Sequence, residues 1–270
     1  MKFKTKLLCD RFTAIISQWP GVECIALNEA ALPDTLDPYF ALILDIYYNG
    51  SIPGAEERNR LYGDDVAAFE TDQGNQAGTS EKPVRQTKDR FLIGDIPVRL
   101  EFKSLDMIEE LVDIADSRLD MLWFIKDSGT YGFYRLAGGE ILYDRNGWIL
   151  GLRGKLDNLS DRFWQIMRSA HQSKMEHFLS DLGAAVIQGD DFYSLITAAG
   201  FIKSACLTLF CINRCFEPSH RAYYTQTLNL RVLPESFKGM FENFLHSDPA
   251  ITMERKFSLA QLIARGIVAL

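Results

Sequence analysis

Few residues in this 270-residue chain have types and spacings that suggest chemistry. Asp45 is the only charged residue in the apolar run Phe40–Tyr48. A carboxylate in a buried strand is costly unless it caps a neighbouring loop or pairs with an arginine. Glu101 shares one face of an alternating segment with Arg99 and Lys103, while Val98, Leu100 and Phe102 take the other; an acid there reads as solvated. Cys211 and Cys215 stand four apart in a very apolar stretch, with Cys206 before them and His220 after. That spacing could serve a metal, but in such a stretch the thiols read as small hydrophobes filling a helix core. His171 and His177 lie among Lys174 and Glu176 and read as surface. Asp144, just before Asn146-Gly147, reads as a turn residue. There is no G-x-S-x-G, Walker loop, H-E-x-x-H or G-x-G-x-x-G, so the common serine-hydrolase, P-loop, zinc-protease and dinucleotide signatures are absent.

Composition narrows the class. The chain is 47% hydrophobic and 24% charged, as ordinary globular domains are. Its net charge of −7 argues against a duplex nucleic-acid binder, which needs a basic face. Five cysteines without a C-x-x-C pair suit a reducing, cytoplasmic setting. The start, Lys2 to Lys6 followed by Leu7-Leu8-Cys9, is cut short by Asp10-Arg11, too early for a signal peptide. Ile196–Ile212 is interrupted by Lys203, so no membrane span is expected.

The elements that must position these residues follow from periodicity. Leu8, Phe12, Ile15, Ile16 and Trp19 predict a helix stopped at Pro20-Gly21. Val22–Leu27 and Phe40–Tyr48 read as strands, and Pro53 with Ala55-Glu56-Glu57 opens a short helix. Thr71–Arg90 holds only Ala77 and Val84 as aliphatics and reads as a mobile loop that could fold over a ligand. Phe91–Lys103 reads as a hairpin turning at Gly94-Asp95. Ser104 caps a helix whose stripe runs from Ile108 to Leu122. Glu140–Asp144 is a further strand. Beyond Trp148 helical patterns take over, at roughly 160–182, 191–216, 221–231, 234–246 and 254–268. The expected fold is α+β: a mixed sheet with flanking helices over residues 1–150, then an all-α bundle over 151–270.

This order of elements resembles the nucleotidyltransferase superfamily of the DNA polymerase β kind. Its aminoglycoside- and lincosamide-modifying branch and their bacterial relatives are the nearest likeness. Local segments carry the resemblance. They are Ile52-Pro53 with Glu56-Glu57-Arg58; Glu140-Ile141-Leu142-Tyr143-Asp144 with Gly147; Leu209-Phe210-Cys211-Ile212-Asn213-Arg214 with Phe216, Pro218 and Arg221; and Leu233-Pro234 with Phe237. The family pattern puts a Gly-Ser after the first strand, paired acids on the second and a third acid on a later strand. Here Asn28-Glu29 stands at the Gly-Ser. Depending on register, the paired acids fall at Ala41 and Ile43, or at Ile43 and Asp45. Glu101 takes the third position.

The resemblance implies Asp45 and Glu101 as catalytic and metal-binding acids facing a cleft between the two halves. Asn28, Glu29, Asn213, Arg214 and Arg221 become the nucleotide- or substrate-binding candidates. Nucleotidyl transfer usually uses two divalent ions held by carboxylates. Ala41 and Ile43 cannot ligate, so Asp45 and Glu101 would hold one Mg2+ at most, unless Asp34 or Asp37 substitutes from the preceding loop. Glu29 would also bring negative charge toward a triphosphate. The expectation is a cytoplasmic, catalytically degenerate nucleotidyltransferase-fold protein that binds a nucleotide, a small molecule, a protein partner or a second copy of itself, without duplex nucleic acid or membrane. Two other readings stand beside it: an active divergent nucleotidyltransferase moving an NMP from an NTP to a small-molecule hydroxyl, and a toxin–antitoxin-like interaction module.

Overall fold

A computed structural model describes residues 3–28, 42–72, 85–246 and 252–270. The chain divides into two compact units, Met1–Arg118 with Arg135–Asn158, and Leu119–Tyr134 with Leu159–Leu270. The segment Leu119–Tyr134 thus belongs with the later residues rather than with its neighbours in sequence.

The first unit is built on a six-stranded sheet in the order β3-β4-β5-β2-β1-β6. Its strands are β1 (Val22–Leu27), β2 (Leu42–Tyr48), β3 (Val66–Asp72), β4 (Gln86–Ile93), β5 (Ile96–Ser104) and β6 (Glu140–Asp144). Central β2 and β5 run parallel, and every other pair is antiparallel. Helix α1 (Phe3–Ile16) lays Leu8, Phe12 and Ile16 on one sheet face, where Leu42, Leu44, Ile46, Tyr48, Val98, Leu100 and Phe102 meet them and Trp19. Trp19 stacks on Phe102 at 5.8 Å. The chain turns tightly after α1 because Gly21 has no side chain: a Cβ there would lie 2.6 Å from the Asn49 carbonyl oxygen and 2.8 Å from that of Ser51. β4 and β5 form the expected hairpin, with Gly94 at φ +61° in the turn.

Three sequence expectations in this unit need correction. Thr71–Arg90 is not one loop. Thr71 and Asp72 close β3, Gln86–Arg90 open β4, and the residues between, 73–84, lie outside those described, with the expected lid motion. The ordering comes from a polar core rather than aliphatics. Arg58, on α2 (Ala55–Tyr62), meets Asp89 with two 2.7 Å bonds, and Tyr62 donates to the same carboxylate at 2.7 Å. Arg58 also donates to the Pro53 carbonyl and to Thr71 Oγ1, tying β3 to β4. Second, helix α3 (Leu105–Asp116) starts at its Ser104 cap but ends before Leu119, where a 3-10 turn, Leu119–Met121, follows. Third, α6 (Trp148–Asp157) and the later half of α5 (Tyr131–Gly138) occupy stretches that gave no clear pattern, as do α4 (Trp123–Ser128) and the start of α5, which belong to the second unit.

In the second unit, α7 (Asp161–Gln188) and α8 (Asp191–Ile212) form a helical hairpin through Gly189, at φ +67°. Ser160 and Asp190 cap the two N-termini through the Phe163 and Tyr193 amides. Helices α9 (Tyr223–Leu228), α10 (Phe237–Leu245) and α11 (Met253–Val268) complete the unit. Met175, Leu182, Phe201, Phe210, Phe237, Phe241, Ile263 and Ile267 lie in its core. α8 is long and apolar enough to cross a membrane, but 61% of its most apolar stretch is buried in the protein, as in a core helix. His171 is another correction: it is 5% exposed, because it falls on the buried stripe of α7 with Trp164, Met167, Met175 and Leu182. Burial, and then Lys174 and Lys203, pull its pKa from 6.5 to about 4.

Candidate functional site

Sheet pairing places the candidate residues of the first unit in rows on the face opposite α1. Asp45 stands beside Glu101 on parallel neighbours, with Ala26 across from Asp45 and Lys88 across from Glu101. The row on one side is Cys24, Tyr47, Lys103 and Gln86. The row on the other has Ile43 beside Arg99, and Asn28 opposite Ile43, whose carbonyl accepts from the Asn28 amide at 3.0 Å. Directly paired residues share a sheet face, so Asn28, Asp45 and Glu101 are brought together. Glu29, Asp34, Asp37 and Ala41 lie outside the described residues.

Two cations that sequence reasoning did not assign complete the group. Lys103 follows Glu101 by two residues and so shares its face; its Nζ lies 2.7 Å from Asp45 Oδ1 and 3.4 Å from Glu101 Oε2. Arg135 comes from α5. Gly139 closes the end of that helix beside β1: a Cβ there would lie 2.9 Å from the Arg135 carbonyl oxygen, with the Ala26 Cβ at 3.4 Å. Arg153 donates to the Leu136 and Gly139 carbonyls and fixes the helix end. From this position Arg135 reaches both acids: Nε donates to Asp45 Oδ2 at 3.0 Å, Nη2 to Asp45 Oδ1, and Nη1 to Glu101 Oε2 at 2.8 Å. Arg99 Nε stands 3.0 Å from Glu101 Oε1. Asp45 is 1% and Glu101 3% exposed. Burial alone would raise the Glu101 pKa, but Lys103, Arg135 and Arg99 outweigh it and hold the carboxyl at about 2.

Every carboxylate oxygen of the pair therefore already meets a cation. Two charged residues buried together with matched partners form a stable, satisfied network, not a vacant ligand set. Among the described residues no group of three or more His, Cys, Asp or Glu is placed to hold a metal.

The other candidates belong to the second unit. Asn213 ends α8: its Nδ2 donates to the Leu209 and Val232 carbonyls at 2.9 Å, and its Oδ1 accepts from the Val232 amide at 2.7 Å. Its amide is thus spent on joining two backbone segments. Arg214, at φ +54°, pairs with Asp161 at 2.6 Å on the surface, and Arg221 is exposed in the turn before α9. Cys206 and Cys211 are buried, with pKa values raised by burial to about 11 and about 12, so neither is a thiolate at neutral pH.

A solved structure with this arrangement of elements is known. The nucleotidyltransferase-like protein from Exiguobacterium sibiricum 255-15 is similar over 98% of this chain and 74% of its own, with a TM-score of 0.51 and 11% identity. The fold is nucleotidyltransferase-like. No protein-family model and no curated protein matches the chain. At 11% identity the likeness speaks for the mixed sheet and the helices that follow it, and for nothing at the level of side chains.

Proposed function

We propose that this chain is a catalytically degenerate nucleotidyltransferase-fold protein that binds a ligand without transferring a nucleotidyl group. One observation carries the reading: Arg135 and Lys103 neutralise Asp45 and Glu101 from within the protein. A divalent ion would have to displace two buried cations from two carboxylates, and Ile43, beside Asp45 on the same face, offers no ligand in return. In-line phosphoryl chemistry relies on metal ions to clamp the attacking and leaving oxygens. Losing even one electrostatic stabiliser costs ~10²–10³ in rate. The protein should show no heat of magnesium or manganese binding, and no transfer of NMP from any NTP to hydroxyl acceptors. Transfer at ordinary enzyme rates, ~1–10³ s⁻¹, that disappears in Asp45→Asn would overturn the reading.

A further inference from the structure

Helix α8 is apolar nearly all round, and such a helix is ordinarily covered on every side. From Ser204 to Cys211 it is: every residue there is buried. Before Lys203 one face is left open. Phe192 is 73% exposed, Leu195 66% and Ile196 49%, and Ala199 is exposed as well. Their spacing, i, i+3, i+4 and i+7, places them in one stripe, which Lys203 continues a turn farther on. Ile187, 88% exposed, stands at the same end of the α7–α8 hairpin as Phe192. At ~200 Å² for a fully exposed side chain of this size, the four large residues present about 550 Å² of apolar surface. The largest patch of an ordinary monomer is ~300–600 Å² and is often functional. A dimer interface of standard size takes ~800 Å² from each partner, about 65% of it apolar, which is close to what this end of the hairpin supplies.

The charges at the two ends of the stripe select its occupant. Asp190 is engaged as the cap of α8, accepting from the Tyr193 amide at 2.9 Å, and Asp191 beside it is exposed. Lys203, also exposed, closes the other end. A stripe negative at one end and positive at the other matches a copy of itself turned end for end. We infer that the chain dimerises here: α8 of one copy packs antiparallel on α8 of a second, about a two-fold axis level with Thr197. Asp191 then lies ~9 Å along the helix on one side of the axis and Lys203 ~9 Å on the other, so each Asp191 meets the Lys203 of the other copy. Leu195 falls opposite Ala199 in the same way, a large side chain over a small one. The contact is isologous and closes at two copies. A parallel pairing would set Asp191 beside Asp191 and Lys203 beside Lys203. A membrane surface fits less well. Helices that lie in a bilayer interface are rich in Lys and Arg on the polar face, whereas acids at the head of this stripe, in a chain of net −7, repel anionic lipid. The inference is independent of whether the fold transfers nucleotides.

The test is sedimentation equilibrium on the full chain. The wild type should reach twice its 30.7 kDa chain mass, since interfaces of this size hold at micromolar concentration or below. Leu195→Glu, an exposed change at the middle of the stripe, should leave the far-UV circular dichroism unaltered and raise the dimer dissociation constant by at least ~30-fold. Lys203→Glu should weaken the dimer about tenfold by setting an acid against Asp191. Asp191→Lys added to Lys203→Glu should recover most of that loss, a rescue that a role of Lys203 within its own chain would not give. The charge swap keeps the test decisive if Leu195→Glu fails to fold. A wild type that stays monomeric well above micromolar concentration would overturn the inference, whether or not it binds phosphatidylglycerol vesicles through the stripe. So would a dimer that survives Leu195→Glu in a folded chain, or a charge swap without rescue.

Discussion

Arg135→Met is the sharpest perturbation of the buried network. The guanidinium meets Asp45 at 3.0 Å through Nε and Glu101 at 2.8 Å through Nη1. A unit charge pair ~4 Å apart is worth about 4 kcal/mol at an effective dielectric constant of ~20. Lys103 remains near both acids after the substitution and recovers part of the loss. Breaking a buried pair on one side costs ~3–5 kcal/mol. Proton uptake sets a ceiling on that cost. One acid can take a proton instead of staying ionised, and holding a glutamate neutral against its ordinary pKa costs about 3 to 4 kcal/mol at pH 7 but under ~1 kcal/mol at pH 5. The folded variant then carries a proton that the unfolded chain lacks, so its stability falls as pH rises above the ordinary carboxyl range. Urea unfolding followed by tryptophan fluorescence should therefore show a penalty of about 3 to 4 kcal/mol at pH 7 that shrinks toward ~1 kcal/mol at pH 5. Adding only Glu101→Gln to the variant should restore much of the loss, because Asp45 then stays paired with Lys103. A penalty below ~1 kcal/mol at pH 7, or one that grows on acidification, would refute the assignment of Arg135 as the resident counter-ion.

Other outcomes follow from the same structure. His171 is held neutral, with its pKa drawn from 6.5 to about 4. The unfolded chain binds the proton first, so stability is intact above pH 6.5 and is lost as pH falls toward 4, by about 3 kcal/mol in all. His171→Phe should flatten that part of the denaturation–pH curve, and an NMR titration placing His171 near 6.5 would contradict it. Asp89→Asn should destabilise the first unit by ~3–5 kcal/mol by stranding Arg58, whereas Arg58→Met with Asp89→Leu should cost less in chemical denaturation, ~1–3 kcal/mol for the buried Tyr62 hydroxyl left without its acceptor. Gly21→Ala forces a Cβ against two backbone carbonyls and should cost ~1–3 kcal/mol in thermal or urea unfolding, with no change expected in ligand binding.

Elements with strong local signals were legible in the sequence. Val22–Leu27 is a strand at the bounds its apolar run suggested, Gly94-Asp95 turns the hairpin, and Ser104, followed by acids, caps α3. The first part of β4 was not legible, because the order of Gln86–Arg90 comes from Asp89 meeting Arg58, a residue 31 positions earlier. Hydrophobic periodicity cannot register such a pair. The site divided in the same way. Asp45 could be singled out because a carboxylate in a buried strand is conspicuous, whereas Glu101 read as solvated and was reached only through the resemblance. Lys103 shares the alternating face with Glu101 and so looked solvated until Asp45 and Arg135 closed over it. Arg135 left only a weak trace: one arginine between Phe133 and Leu136, both buried, in a helix too short for its period to stand out.

The arrangement of these cations bears on what the fold can still do. A carboxylate pair beside two vacant ion positions repels itself until metal arrives, so its affinity for metal comes partly from relieved repulsion. Here that repulsion is already relieved by groups that cannot dissociate. Arg135 is anchored through an α5 end that Arg153 fixes, and Lys103 is tethered two residues from Glu101. A tethered counter-ion competes at an effective concentration far above any cellular magnesium level. It also brings no water that could serve as nucleophile and no open coordination position to orient one. Restoring carboxylates at positions such as Ile43 would therefore not restore a metal site by itself, because Arg135 and Lys103 would answer the added charge first. Removing the two cations is the step on which any recovery of metal binding depends.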